Sequence, residues 1–507
     1  MALKEKQFTK LKKLNTRKMK KLVMLAAALI AAAAAFGQGY ELTFKTKVTT
    51  DTMQYLAQHF RDKFIFVDSC RVNNGTATFK GRRNLETGVY CLLNSEKKKI
   101  LDVMIDDSRK FAVNYEMPFS NATTVVTGSK ANQSMFDYMA RQDAAHKQAK
   151  DIEEEKKNAK TDAEKDAIQK KMDKLSEEMI AFQNNYFEQT KKYKFTQLIS
   201  KFDNIDVPQD LSREDQVVYF RRHYWDKLDL SDHSLIYTPQ LFDKVNFYFF
   251  GVLYYQPIDS LTYYGDLFLH KIENDSTMMR YVMEFITPRY ERSTKKVGWD
   301  QMFVHLVEQY YLKGKCPWAT EGELYNKRGT VDFLKSSLIG APGPELFMAD
   351  TNQSTNSADW ISSHRFPQKY VMLWFWDPDC HHCQEQTAEL KILYDSLTRV
   401  GNKIFEVYAV GFEADVPKWK KYVREHELPF VNVGGINVNI DYQAAYNVHG
   451  APTMILLNAD RKIIMNKNIP TDSVLPFIEQ YEKEHPEEAN RQPSKWMLEG
   501  QRLYGKK

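Results

Sequence analysis

Two cysteines enclosing two histidines, Cys380-His381-His382-Cys383, are the densest group of reactive side chains in this 507-residue sequence. A thiolate is both a nucleophile and a metal ligand, so the spacing admits several chemistries. On a helix, thiols three residues apart lie about one turn from each other, and the second can attack a mixed disulfide formed by the first. Haem attachment requires a histidine directly after the second cysteine, where Gln384 stands instead. Zinc binding by these four residues alone is poor, because neighbours on one turn cannot all converge on a tetrahedral centre. A purely structural disulfide is the remaining alternative, and the context of the pair weighs against it. Neither a metal nor a cofactor is expected.

That context is a strand, a tight turn and a helix. Tyr370-Val371-Met372-Leu373-Trp374-Phe375-Trp376 is an apolar run of strand length, Asp377-Pro378-Asp379 is a turn, and Ala388, Leu390, Leu393 and Leu397 recur with helical spacing. Cys380 therefore begins a helix, where spare N–H groups and the positive end of the dipole favour its thiolate. Cys383, one turn later and facing inward, is the resolving thiol. A second central strand, Ile404 to Val410, precedes a helix that holds Trp419 to Val423, so strands and helices alternate. The segment Val448-His449-Gly450-Ala451-Pro452-Thr453-Met454-Ile455-Leu456-Leu457-Asn458 is a turn entering a strand, with a proline expected to be cis.

Residues 336–489 resemble the thioredoxin superfamily, and within it the TlpA-like and ResA-like exported reductases. Trp374-Phe375-Trp376 leading into the pair and Gly450-Ala451-Pro452-Thr453 as the proline loop carry the likeness. It implies a thioredoxin fold, catalytic roles for Cys380, Cys383, Pro452 and His382, and client binding at Trp376, Ala451 and Pro452. His382 stands at the place of the histidine in the Cys-Pro-His-Cys pair of DsbA-like oxidants. The resemblance thus implies a stabilised thiolate and a pair more oxidising than thioredoxin's roughly −270 mV, towards the roughly −180 mV of isomerases. Two positions depart from the pattern. Trp374 replaces thioredoxin's buried, proton-transferring Asp, and Asp379 replaces the Trp before the first cysteine. The proton acceptor for Cys383 is left open; Glu413 and Asp415 are candidates, and solvated loop carboxylates are the competing reading.

The other elements predict a multidomain protein of α+β and α/β character, with about three modules at this length. Alternation at Tyr40-Glu41-Leu42-Thr43-Phe44, the turn Asn73-Asn74-Gly75 and further short apolar runs predict a small antiparallel β-sandwich-like domain over 38–138. A charged helical hairpin over 139–200 follows, broken near Asn158, its second helix opened by the capping box Thr161-Asp162-Ala163-Glu164. The stripe Ile168, Met172, Leu175, Met179, Phe182 and Tyr186 is expected to pack on its own hairpin neighbour rather than on a partner. An aromatic-rich helical domain spans 201–338, in which Tyr254, Tyr255, Tyr263 and Tyr264 are read as core-edge tyrosines before a ligand groove. The thioredoxin-like domain spans 339–489, after the punctuation Pro342-Gly343-Pro344, and a polar tail spans 490–507. Cys70 and Cys91 either pair or stay buried thiols, and Cys316 is the unpaired one. This order of modules is also similar to Bacteroidota envelope proteins whose front domains are of unknown function.

Residues 1–37 read as a signal peptide: nine Lys or Arg and one Glu, with an apolar run from Leu22 to Phe36 too short for the roughly 20 residues that span a bilayer. Cleavage is expected near Gly37-Gln38; Met19 can serve as an alternative start, and an uncleaved anchor is the other reading. Without this segment the net charge falls from +5 to −3, so nothing favours nucleic acid as a partner. The expected location is the periplasm or cell envelope. Two functions are carried forward: a disulfide reductase or isomerase acting on protein clients with an unidentified redox donor, and a scaffold protein whose thioredoxin-like module is redox-responsive or inactive.

Overall fold

The structure, a computed structural model, describes residues 39–495 apart from 48, 107, 203–204, 293–296 and 413–414. The expected signal segment, Glu413 and residues 496–507 of the tail lie outside the described residues. By its contacts the chain divides into two compact units, 1–251 and 252–507, so the helices expected as one domain over 201–338 are shared between both. Among the described residues no helix is long and apolar enough to cross a membrane.

The first unit begins with eight strands: β1 (Tyr40–Lys45), β2 (Met53–Phe60), β3 (Lys63–Arg71), β4 (Thr76–Gly81), β5 (Gly88–Leu93), β6 (Lys99–Ile105), β7 (Lys110–Asn114) and β8 (Val125–Thr127). They form two four-stranded sheets, ordered β4-β1-β7-β8 and β3-β2-β5-β6. Period-two alternation along β1 buries Tyr40, Leu42 and Phe44. Asn74 and Gly75, with φ of 48° and 70°, make the turn into β4. The antiparallel expectation fails at one pairing, because β1 runs parallel to β7 with Leu42 opposite Phe111. A parallel neighbour cannot be reached through a hairpin, and here the chain passes through the second sheet before returning to it.

Helix α1 (Lys130–Asn158) starts inside the segment assigned to the small β domain, because Ser129 caps it by accepting the Asn132 N–H. Helix α2 (Asp162–Thr190) opens on the expected capping box, with both reciprocal bonds between Thr161 and Glu164 present. Its stripe packs on α1: Ile168, Leu175 and Tyr186 are buried, and Tyr138 of α1 meets the Tyr186 ring at 4.6 Å. Helix α3 (Pro239–Phe247) then buries Leu241 and Val245.

The second unit contains helices Ile258–Ile272, Ser276–Glu291, Trp299–Leu306 and α4 (Glu321–Leu334), followed by a seven-stranded sheet. Tyr264 is buried there, whereas Tyr255 and Tyr263 are 81% and 53% exposed, so these tyrosines do not converge on one groove. The strands are β9 (Phe347–Asp350), β10 (Ile361–Ser362), β11 (Tyr370–Trp376), β12 (Phe405–Gly411), β13 (Val431–Val438), β14 (Thr453–Leu457) and β15 (Ile463–Met465), ordered β10-β9-β13-β12-β11-β14-β15. Helices α5 (His381–Arg399), α6 (Val416–Glu425) and α7 (Val474–Glu484) complete the layer structure. β11 lies between β12, parallel to it, and β14, antiparallel to it. Being covered on both faces, it needs a continuous apolar sequence rather than alternation. Met372, Trp374 and Trp376 join the cluster with Leu390, Trp419 and Ile478; Val371, Leu373 and Phe375 join the opposite cluster with Tyr446 and Leu346.

Candidate functional site

At the end of β11 the chain must leave the sheet and start a helix within four residues. Three bonds shape the turn. Asp377 Oδ1 accepts the Asp379 N–H at 2.9 Å, the Asp377 carbonyl accepts the Cys380 N–H at 3.2 Å, and Gln384 Nε2 donates to the Pro378 carbonyl at 2.7 Å. Cys380 is then the N-cap of α5 (φ −94°, ψ 115°), and its sulphur accepts the Cys383 N–H at 3.3 Å. A helix start carries N–H groups with no intrahelical acceptor, so this sulphur receives a hydrogen bond and the positive end of the dipole together.

Cys380 is partly exposed and Cys383 fully buried beneath it. Burial, followed by the hydrogen bond with Cys380, pushes the Cys383 thiol up to about 12. The pair is therefore asymmetric: one sulphur meets solvent at a helix start, and the other lies in the apolar layer below. The carboxylate whose charge acts on Cys383 belongs to Asp377, a residue the sequence reading treated only as part of a turn. Asp415 is committed elsewhere, capping α6 by accepting the Lys418 N–H at 3.0 Å.

The register of β14 against β11 places Thr453 opposite Phe375 and so brings Pro452 to the end of β11, beside the pair. The Ala451-Pro452 bond is cis, and the Cys380 sulphur lies 3.9 Å from the Ala451 carbonyl oxygen. Asn468, just past β15, holds this loop from behind. Its side-chain oxygen accepts the Met454 N–H at 2.6 Å, and its amide donates to the Pro452 carbonyl. Sequence reasoning missed Asn468, whose only signal is an asparagine two residues before Pro470. His449, on the exposed side of the loop, meets the Phe333 ring of α4 at 5.1 Å. Beside it lies a recess of about 250 Å³ lined by Phe333, Phe412, Gln443, Ala444, Val448 and His449.

Two expectations are corrected, and one open alternative is narrowed. Trp376, expected at a client-binding surface, is fully buried because it belongs to the covered central strand. His382 is not packed over Cys380: its side chain is 81% exposed, His381 is 79% exposed, and both face Glu385, at 3.5 Å and 3.2 Å respectively. They share this partner because residues three and four apart are neighbours on a helix. Cys70 and Cys91 are free thiols, like the other three cysteines. They sit on β3 and β5 with β2 between them, opposite Gln54 and Ala57, and strands nearly 10 Å apart exceed the reach of a disulfide. The substitution at Trp374 has a simple local solution: its indole N–H donates to Thr387 Oγ1 of α5 at 3.0 Å, and both side chains are buried.

Residues 368–463 match the family model described as thioredoxin-like. Residues 40–135 and 160–318 match two families, each described as a domain of unknown function. Comparison with curated proteins finds no match. Among solved structures, a thioredoxin-like protein from Bacteroides caccae aligns with 56% of this chain and 98% of its own at 17% identity and a TM-score of 0.43. A domain of a possible thiol-disulfide isomerase from Cytophaga hutchinsonii aligns with 30% of this chain and 97% of its own at 28% identity and a TM-score of 0.26. The thioredoxin domain of a thiol-disulfide oxidoreductase from Bacteroides vulgatus aligns with 28% of this chain and 96% of its own at 23% identity and a TM-score of 0.24.

Proposed function

We propose that this chain is an exported thiol-disulfide oxidoreductase of the reductase or isomerase type, acting on protein clients through Cys380 and Cys383 of its thioredoxin-like domain. One observation carries the reading: a part-exposed sulphur at a helix start, beside a cis-proline loop and over a second, buried thiol. The Cys380 thiolate attacks one sulphur of a client disulfide, that S–S bond breaks, a Cys380–client bond forms, and one client thiolate leaves. Cys383 then loses its proton, for which Asp377 is the proposed acceptor, and attacks the Cys380 sulphur. The pair closes as a disulfide and the second client thiolate departs. The client has gained two electrons, and an external dithiol donor restores the pair.

The cis-proline loop, with its Ala451 carbonyl beside the Cys380 sulphur, offers the client a place to lie against the pair, and the recess beside His449 can receive a client side chain. Export rests on the sequence of residues 1–37 and fits an oxidising compartment. Equilibration in glutathione buffers, followed by trapping with Cys383→Ser, tests the reading. The expected result is a single two-electron transition and envelope proteins held as mixed disulfides on Cys380. A protein that equilibrates but traps no client would support the scaffold reading instead. Mass spectrometry of the envelope form should give a terminus near Gln38.

A further inference from the structure

The first unit contains a second group of chemically capable side chains, unrelated to the redox pair. β5 runs between β2 and β6, with Cys91 opposite both Ala57 of β2 and Asp102 of β6. Directly opposed residues share a sheet face, and so do residues two apart on one strand. Cys91, Asp102 and His59, two residues beyond Ala57, therefore project from the same face of three adjacent strands. Their ligand atoms, one sulphur, one imidazole nitrogen and one carboxylate oxygen, all lie within 4.8 Å of one another. His59 Nε2 is 2.8 Å from Asp102 Oδ1.

We propose that His59, Cys91 and Asp102 bind one divalent transition ion of the zinc type, with water completing a tetrahedral set. The donor types match: a thiolate, an imidazole and a carboxylate bind zinc at about 2.3, 2.0 and 2.1 Å, so its ligands stand about 3.5 Å apart. Small side-chain movements bring this set to that spacing. The site is sheltered, since Cys91 is fully buried and the His59 side chain is 8% exposed, while Asp102, at 21%, keeps an edge towards solvent through which an ion can enter.

Charge is balanced in the bound form. The ion brings +2, Asp102 supplies one negative charge, and Cys91 supplies the other by releasing its thiol proton to solvent as the metal–sulphur bond forms. His59 would ligate as a neutral imidazole, and Asp243 of α3 interacts electrostatically with that ring. Lys99 pairs with the other Asp102 oxygen at 2.8 Å and is 45% exposed, so it can keep that contact or turn to water. The ion would tie β2, β5 and β6 together, and in an oxidising compartment it would shield Cys91 from oxidation.

The test uses the full chain with Cys380→Ser and Cys383→Ser, so that the redox pair cannot contribute a thiolate, titrated with cobalt(II) and then zinc(II). The expected result is one equivalent bound, with a thiolate-to-cobalt charge-transfer band that zinc displaces. Adding Cys91→Ala should abolish the band. Asp102→Asn and His59→Gln, which preserve shape, should keep the fold by circular dichroism yet weaken binding by more than about tenfold, the lower end of the loss for even an outer-shell partner. Absence of the band, or a band of equal strength in Cys91→Ala, would overturn the site and leave the His59–Asp102 contact as a structural hydrogen bond.

Discussion

Cys91 lies within β5, fully buried, with a strand on each side. Burial pushes its thiol far above the ordinary range, and the nearby Asp102 charge adds to this. Cys380 lies just after a strand, past a three-residue turn, partly exposed, with a backbone N–H directed at its sulphur. In a sheet interior the ladder takes up most backbone N–H groups, and for Cys91 burial outweighs the backbone hydrogen bond its sulphur receives. A helix start has several to spare. The same side chain is thus an inert thiol or proposed metal ligand in one unit and the proposed nucleophile in the other, and burial together with the helix start's spare donors makes the difference. Cys70, pushed up to about 11 by burial, and Cys316, pushed up to about 12, fall on the inert side.

The largest expected effect tests that contrast directly. Cys380→Ser should lower reduction of a protein disulfide by at least about a hundredfold, since the intramolecular relay is lost with it, while Cys316→Ala stays within about twofold. Peptide mapping after brief iodoacetamide treatment of the reduced protein at neutral pH should find Cys380 labelled first. Earlier labelling of Cys383 or Cys91 would break the comparison.

Next in size is the support of the proline loop. Asn468→Ala removes both the acceptor of the Met454 N–H and a donor to Pro452, which should cost about 1–3 kcal/mol in urea unfolding of the second unit. It should also reduce kcat/KM for protein clients more than alkylation of Cys380. An equal loss in both would mean that Asn468 acts only on overall stability. Thr387→Val, nearly isosteric, leaves the buried Trp374 N–H without its partner and should cost a further but smaller amount, about 1–2 kcal/mol. An unchanged midpoint would show that another acceptor replaces it.

The smallest effect sharpens the role of the intervening histidines. With both side chains largely exposed and facing Glu385, His381→Ala and His382→Ala should each shift the glutathione equilibrium by less than about threefold, roughly 15 mV. A tenfold shift confined to His382→Ala would restore the DsbA-like arrangement that its position suggested.

What the one-dimensional pattern revealed was local. Cys380, the turn before it and the helix after it were legible because each rests on contacts within a few residues, and so were the Thr161–Glu164 capping box and the cis proline. Less visible was anything set by an element distant in sequence. Trp376 looked available until α5 and α6 covered its face of β11, where the Tyr422 ring of α6 lies 5.3 Å from its own. The parallel pairing of β1 with β7 joins segments nearly 70 residues apart, and α1 began earlier than composition suggested because one serine could cap it.

The sequence by itself determined that Cys380 begins the helix after β11 and that Cys383 follows it by one turn, because helix starts and turns are governed by near neighbours. Only the tertiary structure decided which side chains surround them. Asn468 behind the proline loop and His59 meeting Cys91 and Asp102 depend on strand order and register, and shifting one strand by a single residue would turn its side chains to the opposite face.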